Sequence, residues 1–381
     1  MAETTTGLDA AIQAAATLLS GARQPLIAGL AADIEGITAA IELARRLRGV
    51  VDHSGSAALL HDLNVMRNRG WIVTTPLEAR ARADLLLLAG PGLHPPPEEL
   101  RPLLDAGAPT YFPGTPRRIL HSPLPLAGGG RGEAATPVQA AGQSPPPLAG
   151  GGRGEGSNAK AAGINLHADA LIDQIALIRM IFAGHDVPAP NHLRETADAL
   201  RNAHYSVIVW SAAHLTAPAI ETICGLIEDL NAKTRCAGLP LSPGDNAAGA
   251  AEAAAWLTGY PLPVGFTRGF PEHDPWRFDA TRLAESGEAD AAIWIAALGI
   301  AAPPWQRGVK LIALVTSETS VATWLTKPQA VITVARPGID HNAILYDPRL
   351  GGLVAHTATT PSSTPSVATV LRAIMAALPS C

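Results

Sequence analysis

The strongest constraint on this chain is the regular exchange of short apolar runs with stretches whose apolar residues recur at helical spacing. Asp84–Ala89 reads DLLLLA, a continuous apolar run of the kind buried on both faces of a parallel sheet. Asp290–Ala297, Lys310–Val315 and Ala330–Val334 have the same character, and so do Pro25–Leu30, Val50–His53 and Val207–Trp210. Between them, Leu8–Arg23, Ile34–Arg48, Ala57–Arg69, Pro76–Arg82, Pro97–Ala106, Ala168–Phe182, Leu193–Ala203, Pro218–Lys233 and Ala247–Leu257 carry helical patterns. Further strands are expected at Trp71–Thr74, Thr110–Phe112 and Cys236–Leu241, and a last helix at Val367–Leu378. This alternation predicts an α/β protein with doubly wound parallel sheets and right-handed crossovers.

The alternation breaks once. Ser122–Glu133 reads SPLPLAGGGRGE and Ser144–Glu155 reads SPPPLAGGGRGE, two near-copies that start 22 residues apart. Proline- and glycine-rich repeats cannot bury a core, so residues 121–162 are expected to be an inserted, flexible surface loop. Gly128–Gly130 with Arg131 could suggest a phosphate cradle, but the Lys-Ser/Thr of a Walker loop and a preceding strand are missing. The expected division is therefore 1–120 for a first α/β domain, 121–162 for the insertion, 163–335 for a second α/β domain and 336–381 for a C-terminal segment.

Charged residues make up 16% of the 381, against about a quarter in an ordinary globular chain. So little charge suggests that part of the surface meets other proteins. The net charge of -5 gives no basic field to attract nucleic acid or acidic lipid. No signal-peptide pattern opens the sequence and no apolar stretch is long enough to span a membrane, which makes the cytoplasm the expected compartment. The three cysteines, Cys224, Cys236 and Cys381, form no CxxC pair, so an iron–sulfur or cysteine-zinc site is not expected.

Candidate chemistry is sparse. GxSxG, HExxH and GxGxxG are absent. His53 and His61 flank a strand-to-helix turn, VVDHSGSAALLH, where with Asp52 they could begin a metal site. No third ligand follows at metal spacing, so a helix cap supplied by Ser54 or Ser56 is the simpler reading. The loop Thr258–Asp274 gathers Tyr260, Phe266 and Phe270 around Arg268. An arginine among aromatics can hold an anion or anchor an interface, or simply pack the loop on a sheet edge.

Five segments together resemble the B subunit of formylmethanofuran dehydrogenase, of the molybdopterin-oxidoreductase group. They are DHSGS at 52–56, EARARADLLLLAGP at 78–91, TGYPLPVGFTRGFP at 258–271, GEADAAIWIA at 287–296 and VARPGID at 334–340. The resemblance implies Rossmann-like domains of the formate dehydrogenase-like type. It also implies, in redox-active members, an N-terminal cysteine cluster and a cysteine or selenocysteine metal ligand near the first cofactor cleft. Here the first 200 residues hold no cysteine, and Ser56-Ala57-Ala58-Leu59-Leu60 follows the turn.

The chain is thus similar to the metal-free branch of methylotrophic bacteria, the B subunits of formyltransferase/hydrolase complexes. That likeness implies three partners: an amidohydrolase-like zinc subunit, a formyltransferase subunit and a further small subunit. Together they would transfer a formyl group from tetrahydromethanopterin to methylofuran and hydrolyse it to formate, in formaldehyde oxidation. Zinc and methylofuran are expected on the partners, and no tungsten, molybdenum pterin or iron–sulfur cluster in this chain. No catalytic residue is expected here. His53, Ser56, His61 and Arg268 are the candidates for a vestigial cleft. The alternatives are a working dehydrogenase subunit that binds the pterin through Ser56 or His61, and a methylofuran-binding module using Arg268 and His53.

Overall fold

A computed structural model describes residues 2–93, 95–122, 159–306 and 308–379. In chain order, α1 (Ala2–Ser20) leads to β1 (Pro25–Ala31), α2 (Ile34–Leu47), β2 (Val50–Val51) and α3 (Ser56–Arg69). Then come α4 (Pro76–Arg82), β3 (Leu85–Ala89), α5 (Arg101–Leu104) and β4 (Arg118–Ser122). After residue 158 follow α6 (Ala159–Ala183), α7 (Asn191–Asn202), β5 (Ser206–Ser211), α8 (Ala217–Asn231), β6 (Cys236–Leu241) and α9 (Ala247–Thr258). The last part holds β7 (Val264–Gly265), β8 (Glu272–His273), α10 (Ala280–Ser286), β9 (Ala291–Ala296), β10 (Lys310–Val315) and β11 (Ala330–Thr333). A hairpin of β12 (Ala343–Asp347) and β13 (Gly352–His356) precedes α11 (Val367–Ala377).

The strands form two α/β sheets. The larger has the order β11-β10-β9-β1-β2-β7-β8, parallel from β11 to β2 with β7 and β8 antiparallel at the edge. The smaller, β4-β3-β5-β6, is parallel throughout. Register explains why the central strands read as unbroken apolar runs. Ile27, Ile293 and Ile312 are paired neighbours on the face covered by α1, α2, α9 and α11. One residue back, Leu26, Ala292 and Leu311 point the other way, among Phe278, Trp294, Trp305 and Trp324. Because alternate residues face opposite sides, both sets must be apolar when both sides are covered. In the smaller sheet Leu85 and Leu87 face α6, α7 and α8, while Leu86 and Leu88 face the layer around Ala79, Leu100 and Leu103.

The sheets do not follow the sequential boundaries 1–120, 163–335 and 336–381. The larger sheet takes β1 and β2 from the N-terminal part and β7 to β11 from residues 264–333, while residues 85–241 build the smaller sheet between them. Periodicity finds elements, but strand pairing is set by crossovers that no local pattern records.

Four local expectations also change. Thr110–Phe112 lies in a turn, and the strand there is β4, whose polar RILHS sits at the sheet edge. Trp71–Thr74 contributes a single bridge, Val73 to Gly238. Pro97–Ala106 is broken into a short 3-10 turn and α5, with a proline at each start. Residues 159–162 already belong to α6, and residues 121–122 to β4. The two repeats, apart from Ser122, lie outside the described residues.

Candidate functional site

In parallel α/β sheets, ligands bind beyond the carboxyl ends of the strands. Here that edge includes the turn Asp52–Gly55 that carries β2 into α3. Asp52 is buried; its N–H donates to Ile27 O (3.0 Å) and its Oδ2 accepts from Ala280 N–H (3.0 Å). Its Oδ1 has no hydrogen-bond partner among the described residues. Burial pushes the carboxyl up to about 7, against the opposing pull of the nearby Ser56 hydroxyl and the Ala280 N–H.

His53 is 3% exposed. Its Nδ1 accepts from Gly55 N–H (2.8 Å), so the ring proton belongs on Nε2, which donates to the Asp245 carbonyl (2.9 Å). Burial pushes its pKa down, which keeps the ring neutral. Ser56 does not cap α3: the residue before the helix is Gly55, with no side-chain cap, and Ser56 Oγ accepts from His53 N–H instead (3.2 Å).

The partners across the turn come from far along the chain. Asp245 and Asn246 both adopt left-handed backbone, φ 57° and 62°, just before α9. Asn and Asp tolerate that region better than other non-glycine residues. Asn246 Nδ2 donates to Ala32 O after β1 (2.8 Å), and its Oδ1 accepts from Tyr346 N–H in β12 (2.8 Å). The hydrogen bonds of Asn246 therefore join β1, α9 and the C-terminal hairpin, and those of His53 join the β2 turn to α9.

Little space remains. The gap between α3 and α9 is walled by Leu59, Leu60 and Leu63 against Ala247, Ala251 and Leu262, and is too narrow for a water molecule. A methyl group on Gly55 would come within 2.9 Å of the Pro243 side chain and 3.0 Å of that of Ala247.

Of the four candidates, only His53 and Ser56 come together. His61 lies two turns along α3, its Nδ1 donating to the Leu215 carbonyl (3.0 Å). Arg268 is at the opposite end of β2. β7 runs antiparallel to β2, with Val264 opposite Val51 and Gly265 opposite Val50, so the β7–β8 tip projects beyond the strand's start. There Arg268 pairs with Glu272 and lies 5.1 Å from the Phe270 ring centre. Asp245 and Asn246 were missed by sequence reasoning. Their one signal is the turn Pro243-Gly244-Asp245-Asn246 ahead of an alanine-rich helix, which marks a helix start but not its partners.

Among the described residues, no group of three or more His, Cys, Asp or Glu could hold a metal ion. Cys224 and Cys236 are buried, their thiols pushed up to about 11 and about 12, far from the thiolate that binds metal. A pterin-held tungsten or molybdenum does not fit the turn, which offers no soft ligand and borders a narrow gap lined mostly by leucine and alanine. No helix among the described residues is long and apolar enough to cross a membrane.

Fold and site together define an α/β protein with two parallel sheets, whose strand-end crevice is occupied by its own side chains. No protein-family model matches the chain. The B subunit of the formyltransferase/hydrolase complex Fhc of Methylorubrum extorquens is 32% identical over 361 residues, 94% of this chain and 91% of that protein. A chain of the crystal structure of the formyltransferase/hydrolase complex (FhcABCD) from the same species, in complex with methylofuran, superposes with a TM-score of 0.76 at 31% identity. That match covers 96% of this chain and 94% of the other. More distant is the B subunit of the tungsten-containing formylmethanofuran dehydrogenase 2 of Methanocaldococcus jannaschii, 25% identical over 76% of this chain and 63% of that protein. The chain belongs to the family of formyltransferase/hydrolase complex B subunits.

Proposed function

We propose that this chain is a structural subunit of a formyltransferase/hydrolase complex, on which other subunits carry out formyl transfer and hydrolysis. The observation that carries this reading is the turn after β2. In a chain 25% identical to a tungsten-containing relative over 76% of its length, that turn presents Ser56, whose hydroxyl is already engaged by His53 N–H, and it faces a narrow, leucine-lined gap. The two-sheet body is, on this reading, a molybdopterin-oxidoreductase-type frame kept for its shape, and the 25% identity to the tungsten-containing relative supports that descent. The partners would be the zinc-dependent hydrolase, the formyltransferase and the further small subunit expected from the sequence. Methylofuran, present in the related complex, would be bound by them.

The test is recovery of the tagged full chain with its co-expressed subunits, followed by tungsten and molybdenum analysis. Co-purification without stoichiometric tungsten or molybdenum is expected. One metal per chain would contradict the reading and favour a working dehydrogenase subunit.

A further inference from the structure

A pocket of about 280 Å³ lies between the α4–α5 layer and the β12–β13 turn. Buried Leu103 and the rings of Pro76 and Pro102 line it, and Leu77 and Leu350 stand at its edge, 57% and 49% exposed. Two walls from distant parts of the chain thus meet over apolar surface that nothing among the described residues covers.

The charges around it are uneven. Asp347 and Arg349 neutralise one another through a pair of 2.8 Å. Arg80 and Glu99 also line the pocket, and neither side chain has an ion pair or hydrogen bond among the described residues. Glu99 is half-buried, and burial pushes its carboxyl up, so a lone charge is disfavoured there.

Size and charge together select an occupant. The volume falls just below the roughly 300–1,000 Å³ of small-molecule sites and suits one large side chain. A buried anchor side chain ringed by peripheral contacts is how protein interfaces concentrate their energy. Two unpaired charges of opposite sign give such a segment its direction. A twofold pairing with its axis through the pocket would set pocket against pocket and leave both unfilled.

We propose that this pocket docks another subunit of the complex, taking one large apolar side chain flanked by a carboxylate that meets Arg80 and a lysine or arginine that meets Glu99. The proposal rests on the chain being a subunit of such a complex. It is tested on the full chain co-expressed with the other subunits, with the photo-reactive residue p-benzoylphenylalanine in place of Leu77 or of Leu350. Cross-links to one stretch of one other subunit, holding an apolar residue between opposite charges, are expected. Arg80→Glu and Leu350→Asp should each weaken that partner's binding at least about tenfold while leaving the chain's own melting temperature unchanged. Reversing the cross-linked acid on the partner should restore binding to Arg80→Glu.

Cross-links confined to this chain or to a second copy, or variants that assemble like the parent, would overturn the proposal. If the unsubstituted chain recovers no other subunit, the subunit reading fails and the docking site with it. That result is distinct from normal assembly with a silent pocket.

Discussion

The two ends of β2 put similar chemistry to opposite uses. At its carboxyl end, Asp52, His53 and Ser56 are buried, and their hydrogen bonds go to the protein itself. Beyond its amino end, Arg268 and Phe270 stand in solvent, and Arg268 pairs with Glu272 and lies against the Phe270 ring. The first group is what an active-site search singles out, yet His53 ties the turn to the start of α9 and Asp52 ties it to the start of α10. The second is surface, cheap to change and free to meet another protein. A residue's chemical type says little about function until its partners are counted.

The largest effect should come from His53→Ala. It removes a buried ring and strips a half-buried N–H of Gly55 and carbonyl of Asp245 of their partners, and should cost roughly 2–4 kcal/mol in urea unfolding. A loss as small as that of an exposed substitution would mean that the turn is not a junction. Gly55→Ala comes next, at about 1–3 kcal/mol, because the new methyl must displace Pro243 and Ala247. An open cleft would tolerate it, so an unchanged unfolding midpoint would break the picture of a filled crevice.

Asp52→Asn sharpens the comparison through pH. The folded carboxyl titrates near 7 and the unfolded one near 3.8, so between those values the folded state holds a proton that the unfolded state has lost. Asp52 therefore makes stability fall as pH climbs from about 4 to about 7, with no further change above. His53 acts in the opposite sense below about 6.5, since its ring is more readily protonated when unfolded. The asparagine keeps the shape and removes only the Asp52 part, so the difference between the two unfolding curves isolates it. A difference that does not vary across that range would refute the buried, proton-holding carboxyl. The smallest effect belongs to Arg268→Ala, whose exposed pair with Glu272 is screened by water. Its unfolding midpoint should match the parent's.

Much of the architecture was legible because both faces of the sheets are covered. Leu85–Ala89 and Ala291–Ala296 are apolar at every position for that reason. β4 and the β12–β13 hairpin escaped notice because they are half-exposed, and RILHS and GLVAH carry polar residues that blur the alternation. The assignment of strands to sheets was not legible, since β1 pairs with β9 across more than 250 residues. At the site, the DHSGS turn was visible as a segment. Its closure was not: the acceptor of His53 lies 192 residues away in Asp245, and the leucines facing α9 look like any helix interior. Family resemblance supplied the function, where residue chemistry alone offered only a turn without ligands.

The most direct test of a structural role is Ser56→Ala in the assembled complex. The sequence reading offers Ser56 as a candidate pterin ligand, and here its hydroxyl accepts the His53 N–H and lies beside the buried Asp52 carboxyl. The rate of formyl transfer and hydrolysis per assembled complex should equal that of the parent. A loss of turnover with assembly intact would contradict the account and place chemistry on this chain.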